Sequence, residues 1–191
     1  MCIRDRVSAA HQIVASTGGF MFIFPSSIAS AYSILVSRSM GSGNMEEANK
    51  IARQSIWVIM AVSGSLSLGL WLERDLIVTF YSDDLAVQVL AASLLLIVCI
   101  SHFLDGFMTL LTSLLRCWDV SILPMLIFLV VVLCFGLGGG WWMAYKGLHW
   151  QDISISAMGI YGFWSMAVIS YLVACILSAF CFHFRKQLKG F

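Results

Sequence analysis

The chain has 191 residues, of which 60% are hydrophobic and only 11% charged, and its formal net charge is +1. A soluble domain carries roughly 25% charged residues, so an ordinary water-soluble fold is excluded, and the near-neutral balance removes any case for a nucleic-acid partner. The six cysteines include no CxxC, and Cys99, Cys134, Cys175 and Cys181 fall in apolar runs where a thiol acts as a small hydrophobe, so no metal or redox framework is indicated.

Residues 1–6, MCIRDR, form an atypical leader. No apolar region with a cleavage site follows it, and it has no amphipathic pattern, so it is neither a signal peptide nor a surface helix. It reads as foreign or poorly determined sequence. Beyond it, runs free of Asp, Glu, Lys and Arg cover 7–37, 54–72, 85–104 continued by 106–115, 120–145 and 153–184. Each is near or above the roughly 20 residues that a helix needs to cross a bilayer. The expected fold is an all-α, polytopic membrane protein with five transmembrane helices at about 10–37, 52–72, 87–115, 121–144 and 156–184.

The first span carries Pro25 among Ser26, Ser27, Ser30, Ser33 and Ser37. Proline removes one helical hydrogen bond and can kink or hinge the span. Small hydroxylated residues suit close helix packing or a water-lined cavity. The connection RSMGSGNMEEANKIARQ follows, with Arg38, Gly41 and Gly43 marking a loop motif. Asn44 is placed to cap the next helix, Glu46 and Glu47 lie in its first turn, and Glu46 and Lys50 are i,i+4 neighbours. These glycines fit no phosphate-binding loop.

The third span contains an ionisable residue, Asp105, between two uncharged runs. A charge at that depth costs several kcal/mol unless it faces protein or water. His102 lies three residues earlier on the same helical face, and Ser101, Thr109 and Thr112 extend a polar stripe over about three turns. Asp105 is either a hydrogen-bonding hub between helices or the site of a coupling cation, and the length of the stripe favours the second. Ser101, His102, Thr109 and Thr112 are candidate cavity or proton-modulating residues. In the fourth span, Gly138, Gly139 and Gly140 permit either close packing or a hinge. In the fifth, Tyr161, Trp164, Ser165 and Tyr171 line either a face of the bundle or the lipid boundary. No nucleophile–base pair appears, so no enzyme is expected.

Threading the spans in order gathers Arg38, Lys50, Arg53, Arg116, Arg185, Lys186 and Lys189 on one side, and Arg74 and Lys146, plus Arg4 and Arg6 if the leader is genuine, on the other. The excess of basic residues marks the cytoplasmic side. The C-terminus is then expected to be cytoplasmic and the N-terminus external, in a multi-pass protein of the cell membrane. An odd number of spans with an external N-terminus suggests that a preceding portion is missing.

The stretches AAHQIVAS (9–16), FPSSIASAYSILVSRSMGSGNMEEANKIAR (24–53), YSDD (81–84) and SHFLDGFMTLLTSLLR (101–116) resemble, in order and spacing, the C-terminal half of multidrug and toxic compound extrusion (MATE) transporters. The resemblance covers roughly 7–189, which would be an incomplete six-helix bundle made of family helices eight to twelve. It implies a cation-coupled antiporter that exchanges Na+ or H+ for organic cations, drugs or other amphipathic solutes. It places Asp105 at the family's buried acid and Arg116 at its cytoplasmic arginine. It also implies that the isolated segment, without its N-terminal bundle, does not transport. No cofactor is implied beyond the coupling ion, and the partners are membrane lipid, the missing bundle and a small organic solute. Arg116 is followed by Cys117 and Trp118 where the family usually has glycine. The alternatives are a flippase of lipid-linked sugars from the same superfamily and a non-transporting structural membrane subunit with Asp105 as assembly glue.

Overall fold

The computed structural model describes residues 3–150, 153–185 and 187. Among them the helices are α1 (Ile3–Gly41), α2 (Met45–Leu72), α3 (Arg74–Tyr81), α4 (Leu85–Cys117), α5 (Ile122–Ile127), a π-helix, π1 (Phe128–Gly138), α6 (Gly139–Tyr145) and α7 (Ile160–His183). Among the described residues, five helical stretches are long and apolar enough to cross a membrane: Arg4–Gly41, Met45–Leu72, Leu85–Cys117, Ile122–Tyr145 and Ile160–His183. The architecture is thus an all-α, polytopic membrane bundle. Among the described residues the extended structure is a small antiparallel pair in the connection before α7, β1 (Leu148–Trp150) with β2 (Ile153–Ile155), in which His149 stands opposite Ser154.

α4 is the central post. Its 33 residues span about 50 Å at 1.5 Å per residue, and α1, α2 and α7 all pack against it. Its sequence is apolar round most of its circumference, as a helix enclosed by others requires. Leu94, Leu95, Leu110, Leu111, Leu114 and Leu115 are all fully buried. The peripheral helices instead present large apolar side chains outward, such as Phe20, Leu129 and Phe180. This is how a surface bathed in acyl chains rather than water is built.

Both turns at one end of the bundle close in the same way. After α1, Asn44 N–H bonds to Ser39 O at 3.0 Å and Gly43 N–H to Met40 O at 3.0 Å, with Gly43 at φ 79°. This double bond pattern needs a left-handed residue, which glycine adopts without strain. After α4, Val120 N–H bonds to Leu115 O at 3.1 Å and Asp119 N–H to Arg116 O at 3.2 Å, with Asp119 at φ 61°. An aspartate is among the few other residues that tolerate that region. Asn44 then caps α2, accepting Glu47 N–H at 3.1 Å while its amide donates to the Glu47 carboxylate at 3.0 Å. Glu46 and Lys50, i,i+4 neighbours on α2, form no ion pair among the described residues. The cap occupies Glu47, and a solvated pair at that spacing gains too little to order two long side chains.

The two ends differ in their ties. At the end holding Arg38, Lys50, Arg53 and Arg116, one core cluster joins Val36, Ala48, Ala52, Leu114 and Trp118, with Phe182 packed against it. Arg185 closes this end from α7. Its guanidinium donates to Asn49 Oδ1 at 2.5 Å and to Phe182 O at 2.7 Å, and lies 4.6 Å from the centroid of the Trp118 ring. Burial lowers the guanidinium pKa from its ordinary value. Lys186 and Lys189, also assigned to this end by sequence, lie outside the described residues. At the opposite end a second cluster joins Ala10, Val14, Leu70, Val87 and Leu94. There Arg6 reaches Asp84 at 3.1 Å. The Asp84 carboxyl is held below its ordinary value, first by the Ala86 N–H that it accepts as the N-cap of α4 and then by the Arg6 charge. The connection between the second and third spans contains α3, whose Leu76 and Phe80 point outward while Val78 is buried.

Candidate functional site

A cleft of about 430 Å³ opens between α1, α4, α7 and the start of π1, and Asp105 lies on its wall. Each helix contributes for a local reason. α4 brings Ser101, His102 and Asp105 to one face through the i, i+3, i+4 rule. α1 contributes Gly18 and Gly19, and nothing lies within 4 Å of where a Cβ on Gly19 would be, so the absent side chain leaves open space. α7 contributes Trp164 and Tyr171, and π1 its first residue, Phe128.

The polar groups of the cleft are incompletely partnered by protein. Ser101 spends its hydroxyl proton on Val98 O at 3.0 Å, which leaves its oxygen as an acceptor. His102 is buried at 5% exposure, and its Nε2 has no hydrogen-bond partner among the described residues. The same holds for the buried indole nitrogen of Trp164. Tyr171 and Cys175 on α7 lie within electrostatic reach of the Asp105 carboxylate, and the Cys175 thiol donates to Leu104 O at 3.1 Å. Among the described residues Asp105 forms no ion pair. A half-buried carboxylate in a cleft lined mainly by apolar and aromatic side chains, with no ion-pair partner among the described residues, is chemically suited to take up a proton or a small cation, or to attract an organic cation against the aromatic faces of Trp164, Tyr171 and Phe128.

At the next residue of α4 after Asp105, three helices come into close contact. Gly106 of α4 faces Pro25 of α1 and Ser63 of α2, and a Cβ placed on Gly106 would lie 3.2 Å from the Cβ of each and run into the Ser63 hydroxyl. Pro25 is buried here, and α1 runs through it as one helix. The serines beyond it are turned inward on their own helix: Ser27 donates to Ile23 O at 2.7 Å and Ser30 to Ser26 O at 2.9 Å.

The remaining residues singled out by sequence separate into groups. Thr109 and Thr112 continue the α4 stripe but do not line the cleft; Thr112 Oγ1 is buried without a partner. Gly139 and Gly140 pack on α7, where a Cβ on Gly140 would stand 3.2 Å from Phe163 O and one on Gly139 would stand 2.6 Å from Met166 Cε. Gly138 has nothing within 4 Å. Arg38, Gly41 and Gly43 belong to the α1–α2 turn at the end away from α3. Sequence reading did not single out the α1 residues of the cleft, among them Gly18, Gly19 and Phe22, nor Val98 of α4 and Phe128 of π1. Two adjacent glycines inside an apolar span, Gly18 and Gly19, are a signal that could have found that part of the wall.

Comparison with known proteins supplies a family. The MatE family profile matches residues 5–142. Among curated proteins, a probable multidrug resistance protein NorM of Chromobacterium violaceum is 31% identical over 171 residues, covering 90% of this chain and 36% of that protein. The protein of the same description from Aromatoleum aromaticum is 26% identical over 169 residues, covering 88% and 36%. That from Neisseria meningitidis serogroup A is 29% identical over 176 residues, covering 91% and 36%. The chain therefore spans little more than a third of the length of these relatives.

Proposed function

The chain belongs to the MatE family, whose members are transport proteins and not enzymes, and from that premise we propose that the whole protein is a cation-coupled antiporter that exports amphipathic organic solutes. The segment described here supplies family helices eight to twelve. The observation that carries the reading is the placement of Asp105 on the wall of an aromatic-lined cleft, with no paired cation among the described residues. Uptake of H+ or Na+ at Asp105 competes with the organic solute or favours one of two states of the bundle, and the gradient gives the cycle its direction. A ligand moves such an equilibrium only through its different affinity for the two states, and a carboxylate exposed to opposite sides in turn provides that difference. Alternating access needs two bundles moving about a central site, so the isolated 191 residues do not transport. Ethidium efflux from cells expressing the full-length gene tests the reading. Efflux is expected to stop when the proton and sodium gradients are both dissipated; efflux that continues unchanged refutes coupling.

The end that carries Arg38, Lys50, Arg53, Arg116 and Arg185 is the cytoplasmic one in this proposal. A cysteine introduced at Ser42, in the α1–α2 turn of that end, is expected to resist membrane-impermeant thiol reagents in intact cells and to react after permeabilisation. Labelling in intact cells reverses the orientation.

A further inference from the structure

Glu73 sits where α2 ends and α3 begins, and its backbone ties the two helices: its N–H donates to Gly69 O at 2.9 Å and its carbonyl accepts Ile77 N–H at 3.0 Å. It is the last α2 residue to line a groove of about 530 Å³ between α1, α2 and α3, at the end of the bundle away from Arg116. We propose that this groove is a binding site for amphipathic organic monocations, separate from the Asp105 cleft, with Glu73 on the charged nitrogen and Phe20, Phe80 and Tyr81 around the apolar body.

The bed of the groove is apolar. Met21 and Leu70 are buried, and the hydroxyl protons of Thr17 and Ser65 are spent on their own helices, on Ile13 O at 2.8 Å and Val62 O at 2.9 Å. Nothing lies within 4 Å of where a Cβ on Gly69 would be, so the α2 wall is open there. The outer walls are exposed rings, with Phe20 at 66% and Phe80 at 85% exposure. Along α2 the lining runs from Ser65 to Glu73, about 12 Å at 1.5 Å per residue, and Glu73 directly follows a span that ends at Leu72. The apolar length therefore lies at the depth of acyl chains and the carboxylate at the water boundary.

Charge selects the occupant. Glu73 is the one charged residue of the lining, and it forms no ion pair among the described residues. Arg74, next in the chain, is turned elsewhere. Its Nε lies 3.7 Å from Asp75 Oδ1 and its Nη1 donates to Trp71 O at 2.8 Å, and none of these three residues lines the groove. The groove thus sets one negative charge at the end of an apolar bed. A phospholipid brings a phosphate, for which the lining has no cation. A neutral tail fills the bed and leaves the carboxylate unanswered. One positive charge on an apolar, aromatic body meets both, and the rings add cation–π attraction. The volume suits a drug-sized molecule.

The test is photolabelling of the whole purified protein in phosphatidylcholine nanodiscs. The probes are 4-azidobenzyltrimethylammonium and, separately, 4-azidoneopentylbenzene, its uncharged analogue with carbon in place of nitrogen. Peptide mapping is expected to place the cationic label on α1 and α3, in wild type and Asp105→Asn alike. An exposed carboxylate contributes about a fivefold gain in affinity. Glu73→Gln should therefore raise the half-saturating concentration of the cation about fivefold and leave that of the uncharged probe unchanged. Gly69→Leu, which grows into open space, should fill the groove and remove the label at an unchanged unfolding temperature. Glu73→Gln that leaves the cation unaffected, or weakens both probes equally, overturns the proposal. So does wild-type labelling of a folded Gly69→Leu protein. Label that disappears with Asp105→Asn also overturns it, since the cation would then sit in the cleft alone. Absence of label from the wild type does the same, as would follow if another part of the protein covered the groove. Transport is not read in this experiment, so its failure leaves the antiport proposal standing.

Discussion

Asp105→Asn in the whole protein is expected to leave expression and membrane insertion intact and to reduce gradient-coupled efflux to the level of cells without the transporter. Asparagine keeps the size of the side chain and much of its hydrogen bonding, and removes the group that can gain or lose a proton or hold Na+. The cleft wall around it, from Gly18 and Gly19 to Trp164 and Tyr171, does not need the charge in order to pack. A helix-bridging hub would tolerate the exchange, since an amide bridges helices as well as a carboxylate does. His102, one turn away with its Nε2 unpartnered among the described residues, is proposed to modulate pH dependence more than to set it. His102→Gln is therefore expected to leave partial efflux with an altered pH profile. Efflux by Asp105→Asn at the wild-type rate, with matched protein level and retained gradient dependence, would reduce Asp105 to a structural role.

A second substitution, one residue further on, is expected to fail in the opposite way. Gly106→Ala should cost about 1–3 kcal/mol through overpacking, and Gly106→Leu should prevent folding. The reason is the three-helix contact with Pro25 and Ser63. The Ser63 hydroxyl has no hydrogen-bond partner among the described residues and can turn away, but the two Cβ atoms at 3.2 Å are fixed to their helices. Thermal unfolding of the purified whole protein reads this directly. Gly106→Ala should unfold at lower temperature, and Ser63→Gly in the same chain should restore part of the loss by removing one of the two obstructing side chains. A Gly106→Ala protein as stable as the wild type would contradict the contact. The two neighbouring positions thus separate chemistry from packing: Asp105→Asn should lose coupling at full stability, and Gly106→Ala should lose stability first.

The bundle was legible in the sequence because lipid imposes a one-dimensional rule: a spanning helix must be long and uncharged. The five runs and the five observed spans agree for that reason. Residues 73–84 were harder to read. Arg74, Asp75 and Thr79 interrupt the apolar pattern that forms α3, and eight residues are too few for periodicity to separate a helix from a loop. The hairpin at Leu148–Ile155 was missed likewise, since strands of three residues carry almost no alternation. In the candidate site, Ser101, His102 and Asp105 were visible because one helix supplies them at helical spacing. Gly18, Phe128, Trp164 and Tyr171 come from other helices, and which of their faces meet is decided by packing that a single sequence does not encode locally. The same limit applies to Gly106, whose importance lies in two side chains far away in the chain.

The central claim is that one carboxylate exchanges a cation for an organic solute. It is tested most directly by counterflow. Purified whole protein is reconstituted in liposomes, an outward gradient of ethidium is imposed with no cation gradient, and internal pH and Na+ are followed by trapped dyes. The account predicts that the organic gradient drives H+ or Na+ inward in the wild type and that Asp105→Asn abolishes this movement. Cation movement of equal size in wild type and Asp105→Asn, or none in either while ethidium still leaves, would contradict it.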